Sequence, residues 1–387
     1  MFRLRQLPRQ TSRPEQPRST LQTHPALMAR RPNASHCSPS RAGRALTEVV
    51  LIVLVPCLCL MIWAMCDAEL KKSLLAGPNK DNLLSVNPVY DTVNMENDTV
   101  LTVQGQGQLR FWDFKKSVML GEMQSQLSEV RCAAYSPSER LLAVGSAMGR
   151  LEVWNLDNPQ LPVMTDDPTL HEVSDCVFTA DGKQLLSSGE DGQLLVWNAR
   201  TLERLDTLVD PECRESIRSL GVSPDGKLAI AGTHSGLAQV WDLKQRRLLH
   251  TYRVAARHLR PDAAVESVAF VDGGANFVAA TRNDGVAIWN AETGACVQKF
   301  AGDFRGLRSG VISRDGKTFV AGSEGGLVAS WDVSTGKSIG SPVQRGPIIR
   351  ALACSADGKM VLSGEWGGRI QFHKAAERPV STELVLR

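Results

Sequence analysis

Along most of the chain the apolar residues come in short runs of four to six, each broken within a few positions by Gly, Asp or Asn. Such runs predict half-buried strands joined by tight turns. Residues 174–209 show the pattern: "SDCVF" reads as a strand, "TADGK" as a turn, "QLLSSG" as a strand, "EDG" as a turn, "QLLVWN" as a strand and "ERLDTLV" as a fourth. The unit predicted is a four-stranded antiparallel meander, with Gly and Asp supplying the positive φ angles of its turns.

The same sentence recurs. Trp112, Trp154, Trp197, Trp241, Trp289 and Trp331 are spaced by 42, 43, 44, 48 and 42 residues, and Phe372 follows 41 residues after the last. Thirteen to nineteen residues before six of these aromatics stand "SPSE" at 136, "TADG" at 179, "SPDG" at 223, "VDGG" at 271, "SRDG" at 313 and "SADG" at 355. The first unit falls in phase with the third through Val89 and Asp91. One such sheet cannot cover both its faces, whereas seven arranged radially can, with the tryptophan-bearing strands filling the gaps between them.

The period near 43, the "SPDGK" turn, the Ser187, Asp191, Gly192 pattern of an inner hairpin and the closing "WD" or "WN" resemble the WD40 repeat family over residues 88–373. The resemblance implies an all-β, seven-bladed propeller with no catalytic set, offering its surface to other proteins. It departs from the family in two ways: only Trp112, Trp241 and Trp331 precede Asp, and the Gly-His pair opening many repeats is missing. Only the third unit carries the family's buried hydrogen-bond set, as His171, Ser187, Asp191 and Trp197, so the other blades are expected to rest on apolar packing. In this family the N-terminal segment commonly completes the last blade; here residues 81–87, "DNLLSVN", would serve, with the C-terminal "VSTELVLR" as the alternative.

A different pattern precedes the repeats. Residues 1–45 mix Pro, Ser, Gln and Arg without a periodic apolar face and are expected to be disordered. Val49 to Cys66, "VVLIVLVPCLCLMIWAMC", then runs eighteen residues without a charge. As a helix it would span about 27 Å, close to a hydrocarbon core of about 30 Å, so residues 46–66 are expected to cross a membrane, with 67–80 a linker and 81–387 the propeller. Arg41 and Arg44 precede the run while Asp67 and Glu69 follow it, which places the N-terminus in the cytoplasm and the propeller outside. A cleaved signal peptide ending at "CDA", a lipid-bearing Cys66 and an Arg-rich transit peptide are the alternatives, and a start at Met28 would shorten the leader.

Charge sharpens this division. Residues 1–66 hold nine Arg against two Glu, a net of +7, which leaves −4 for the rest of a chain whose total is +3. A mildly acidic propeller is not expected to bind nucleic acid. Nine cysteines without a CxxC pair make neither a zinc site nor a disulfide framework, and Cys132, Cys176 and Cys354 fall in apolar strands. No hydrolase, zincin or phosphate-loop motif occurs, and neither metal nor cofactor is expected. An enzyme or small-ligand site in a central channel would need convergent carboxylates, histidines or metal ligands on the inner strand ends, and none is evident in the sequence.

The candidates left are partner-binding residues on the face formed by the inner hairpin turns and blade-entry loops. Trp366 occupies a turn where other units have small or polar residues; it would anchor an interface or cover a neighbouring blade. Arg257, His258 and Arg260 lie in an extended loop, where they would meet an acidic partner or an anionic glycan, or only solvent. His234 and Arg305 belong to the same face. Asn97 in "NDT" matches a glycosylation sequon in a predicted turn. The propeller is expected to be monomeric, with proteins as partners.

Overall fold

The computed structural model describes residues 87–165, 171–255, 263–302, 304–346 and 348–375. Within them lie six four-stranded antiparallel sheets and one three-stranded sheet, each with its strands in chain order, as the repeat predicts. Blade 3 runs Val173–Phe178, Gln184–Gly189, Gln193–Asn198 and Arg204–Val209, within a residue or two of the boundaries expected from the sequence. The innermost strands of successive blades are neighbours around a full circle, and that of blade 7, Ile349–Cys354, meets that of blade 1, Val89–Asn94. The fourth strand of blade 7 is expected from 81–87 or from the C-terminus, and both segments fall almost wholly outside the described residues.

Seven apolar clusters fill the seven gaps between blades. Blade 5 meets blade 6 through Val278, Ile288, Phe319, Ala321 and Trp331. The closing gap between blades 7 and 1 holds Val89, Val100, Trp112, Phe114, Ala351 and Leu362, with Phe372 lying 6.0 Å from the rings of both Trp112 and Phe114. Each Trp faces the blade before it, and Phe372 does not take the corresponding place in blade 7, contrary to the sequence expectation: the register pairs Val361 with His373 as it pairs Phe319 with Trp331, so the buried His373 stands at the tryptophan position, and Phe372, one residue earlier on an alternating strand, points the other way into blade 1.

The turns follow from a small set of bonds. In the "TADGK" and "SPDGK" type turns Gly182, Gly226, Gly316 and Gly358 carry the positive φ. The Asp beside each does not, contrary to the expectation that both would. Instead it accepts a bond from a hydroxyl two residues earlier, as Asp225 does from Ser223 at 2.7 Å, while the Ser223 Oγ accepts from the Leu228 N–H at 2.9 Å. The interchange of "WD" and "WN" also finds its reason. Asp242 Oδ1 accepts from the backbone of Lys244 and Gln245, and Asn198 Oδ1 accepts equally from Arg200 and Thr201. The turn needs one carbonyl-type oxygen, which both residues supply. At Gly192, φ is +71° and an added Cβ would stand 2.7 Å from the Glu215 carbonyl, so only Gly fits.

The buried set expected in blade 3 forms only in part. Trp197 Nε1 donates to Ser187 Oγ at 2.8 Å, but Asp191 caps the turn through the Gln193 N–H, and His171 is exposed and bonded to none of the three. Blade 1 has the Trp–hydroxyl bond as well, since Trp112 Nε1 donates to Thr102 Oγ1 at 2.9 Å. In both blades the hydroxyl stands ten residues before the Trp; in blade 4 that place is Ala231, and the buried Trp241 Nε1 has no partner among the described residues. Trp197→Phe is therefore expected to cost more stability than Trp241→Phe by about 1–3 kcal/mol, because the first breaks a buried bond and the second removes an unsatisfied donor. Urea unfolding of the two variants decides it, and equal losses would refute the assignment.

Candidate functional site

Six of the seven innermost strands carry a β-bulge between their first and third residues, and in blade 3 the matching irregularity falls opposite Ser188 and Gly189. A bulge inserts one unpaired residue and re-aims its side chain. The residues so placed are Tyr90, Arg131, Ser174, Arg218, Glu266, Arg308 and Arg350, and all seven line one cavity of about 490 Å³ in the central channel. The inner hairpin turns form a second ring around this mouth. In six blades the backbone N–H of the residue opening that turn, such as His234, Arg282, Glu324 or Trp366, donates to the carbonyl just before the innermost strand.

Charge at the mouth is unevenly answered. Arg308 pairs with Glu324 and approaches Glu266 at 3.7 Å, and Glu266 also binds Arg282. Arg131 lies 3.8 Å from Glu172 and over the Tyr90 ring at 4.5 Å. Arg350 has no carboxylate partner among the described residues: its guanidinium lies 5.1 Å from the Tyr90 ring and 4.9 Å from the Trp366 ring, and burial holds its pKa below the ordinary range. The Nε atoms of Arg218 and Arg131 are buried without a hydrogen-bond partner among the described residues, and Arg218 has no carboxylate beside it there either. Beside it, burial and then the charges of Arg218 and Arg282 push the His234 pKa down.

Deeper in the channel, Asp91 accepts from the Thr92 N–H and from the Ala133 N–H of blade 2, at 2.7 and 2.9 Å. Asp175 accepts from Cys176 and from Leu220 of blade 4, at 2.8 and 2.7 Å. Both keep some surface on the channel, yet protein crowds them elsewhere, and burial raises Asp91 to about 6 and Asp175, with help from the Asp91 charge, to about 8. Carboxylates therefore do converge on the inner strands, contrary to the expectation from sequence. The bulge is the reason, because it turns a second residue per strand toward the axis. Their oxygens are occupied by backbone donors, so they stitch blades together and are poorly placed as a general base. The described residues contain no group of three or more His, Cys, Asp or Glu able to hold a metal.

Of the residues singled out in the sequence, Trp366 stands at the channel mouth, 40% exposed, with its ring edge-on to Tyr90 at 5.9 Å. It both covers the joint between blades 7 and 1 and presents a face to solvent. His234 belongs to the same mouth. Arg305 is exposed in the segment entering blade 6 and does not line the cavity. Arg257, His258 and Arg260 lie outside the described residues, as does the apolar run Val49–Cys66; among the described residues no helix is long and apolar enough to cross a membrane. Sequence reasoning missed the arginines of the inner ring. Their signal is an Arg directly after the first apolar residue of a repeat, in "VRC", "IRS", "LRS" and "IRA".

Residues 91–327 match the family described as nucleolar protein 10-like, N-terminal domain, a β-propeller. Among curated proteins, periodic tryptophan protein 2 of Arabidopsis thaliana is 31% identical over 127 residues, 33% of this chain and 14% of its own length. Human angio-associated migratory cell protein is 25% identical over 52% of this chain and 47% of its own. The target of rapamycin complex subunit wat1 of Schizosaccharomyces pombe is 26% identical over 54% of this chain and 66% of its own. The chain thus spans well under two thirds of the first two relatives.

Proposed function

From the premise that the chain belongs to the WD40 β-propellers, in the family of nucleolar protein 10-like N-terminal domains, we propose that it is a non-catalytic scaffold binding other proteins at the channel mouth. The observation that carries this is the convergence of seven bulged side chains, two of them cations without a carboxylate partner among the described residues, beside the exposed Trp366. Arg and Trp are the residue types that dominate binding energy at protein interfaces. A relative named as a complex subunit agrees with this role. The same proposal tethers the propeller to a membrane through residues 46–66, N-terminus in the cytoplasm and propeller outside, on the strength of the eighteen-residue apolar run and its basic flank.

Two measurements on the full chain test these parts separately. A photo-reactive residue at position 366 is expected to cross-link to other proteins, and one at Lys244, on the opposite face, is not; equal yields at both positions would remove the scaffold site. Protease added to intact cells is expected to cut the propeller of a membrane-bound, full-length chain, and a protected chain that is soluble after lysis would refute the tether. The second reading, a small ligand or glycan held in the channel or an enzyme using it, is favoured by one observation, a cavity within the usual range for small-molecule sites.

A further inference from the structure

We propose that the channel mouth takes an extended acidic peptide segment of a partner, one carboxylate settling on Arg350 between Tyr90 and Trp366 and another on Arg218. This rests on the scaffold reading and names what the scaffold recognises.

The argument starts from which cations are already answered. Arg308 and Arg131 have carboxylates beside them, whereas Arg350 and Arg218 have none among the described residues: Arg350 lies over the Tyr90 and Trp366 rings, and the buried Arg218 Nε, like that of Arg131, is unbonded. A half-buried guanidinium without a counter-ion is costly, and a carboxylate is the group its fork binds best. The lining holds four arginines with Glu172, Glu266, Asp91 and Asp175, but both aspartates are engaged by backbone N–H donors and both glutamates lie beside other arginines, which leaves Arg350 and Arg218 open to a carboxylate from outside. Two such arginines match two carboxylates of one ligand.

Placement decides the form of the ligand. Arg218 belongs to blade 4 and Arg350 to blade 7, three blades apart, the widest separation that a ring of seven permits. An extended chain, advancing about 3.3 Å per residue with side chains on alternate sides, reaches both. Tyr90 and Trp366 give its backbone an apolar wall beside the charge.

The test is fluorescence anisotropy of a labelled hexaglutamate peptide with the full chain in detergent, beside hexalysine and inorganic phosphate as competitors. The peptide is expected to bind, more weakly at higher salt, and Arg350→Gln and Arg218→Gln are each expected to weaken it about tenfold or more, while Lys244→Gln changes nothing. Arg350→Lys, which keeps the charge but loses the fork and the stack, should fall between. Loss confined to one arginine, or full displacement by phosphate at concentrations near those of the peptide, would overturn the two-point peptide site. Thermal unfolding midpoints show whether a variant is folded; should Arg350→Gln unfold, Arg350→Lys and Arg218→Gln still decide the question. Cross-linked proteins at position 366 that persist in the Arg218→Gln, Arg350→Gln double variant, together with no peptide binding, would sink this inference and leave the scaffold standing.

Discussion

Trp331→Ala is expected to cost the propeller about 3–5 kcal/mol, the range for emptying a large aromatic site in a close-packed core. The side chain is 0% exposed between blades 5 and 6. Its ring meets Phe304 edge-on at 4.9 Å and lies within 5.8 and 6.3 Å of Phe300 and Phe319. Its Nε1 donates to the Ala301 carbonyl at 2.8 Å, a bond that alanine leaves unmade. Collapse cannot fill the void cheaply, because the site is walled by two sheets whose separation is set by every other inter-blade contact. In calorimetry on the full chain the loss should read as a drop in melting temperature on the order of ten degrees. Trp289→Ala is the comparator: its ring is only half-buried, and a smaller loss is expected there. A cost for Trp331→Ala below about 1 kcal/mol would mean that the inter-blade core does not hold the ring together as described.

Asp175→Ala has the second largest expected effect, and one that depends on pH. The substitution strands the Cys176 and Leu220 N–H groups, at about 1–3 kcal/mol for each buried donor, and removes the bond that ties blade 3 to blade 4. In the folded chain burial raises this carboxyl from 3.8 to about 8, so the folded state binds its proton more tightly than the unfolded state does. The stability it contributes is therefore fully present below 3.8 and is lost as pH rises toward 8. Asp91 acts in the same direction, its loss complete by about pH 6. The cost of Asp175→Ala, taken from urea unfolding at a series of pH values, should be largest in mild acid and shrink toward pH 8. A cost that grows with pH would show the carboxylate to be the favoured form and overturn this assignment.

The division between what sequence reading and structure supply follows from the range of the forces involved. Blade number, strand boundaries, turn positions and the Trp-bearing inter-blade cores are all local: a turn is made by Gly at positive φ and an Asp within two residues of its hydroxyl partner, and a strand by its alternation of apolar positions. The turn recurs in four blades and the strand pattern in all seven, and repetition makes a local signal unambiguous.

Trp366 and His234 were legible as residues of the channel mouth, but its inner ring of arginines was not, although they stand in plain view. Alternation predicts that neighbouring strand residues face opposite ways, so Arg350 and Ala351 would not both be expected on the channel; a bulge paired across to the next strand brings both there. Closure of the ring then sets residues 260 positions apart side by side, Tyr90 of blade 1 against Arg350 of blade 7, which no local pattern encodes. It also decides which cations find a carboxylate and which do not, and which hydroxyl stands within reach of a Trp Nε1. His171 fails for this reason: composition supplied the residue, but only the packing of blade against blade could have brought it to Ser187. The sequence by itself determined the seven blades and their cores, because those rest on contacts within a repeat and its neighbour. The tertiary structure alone decided which arginines of the channel mouth are met by a carboxylate, because electrostatic compensation depends on distances that exist only after the circle has closed.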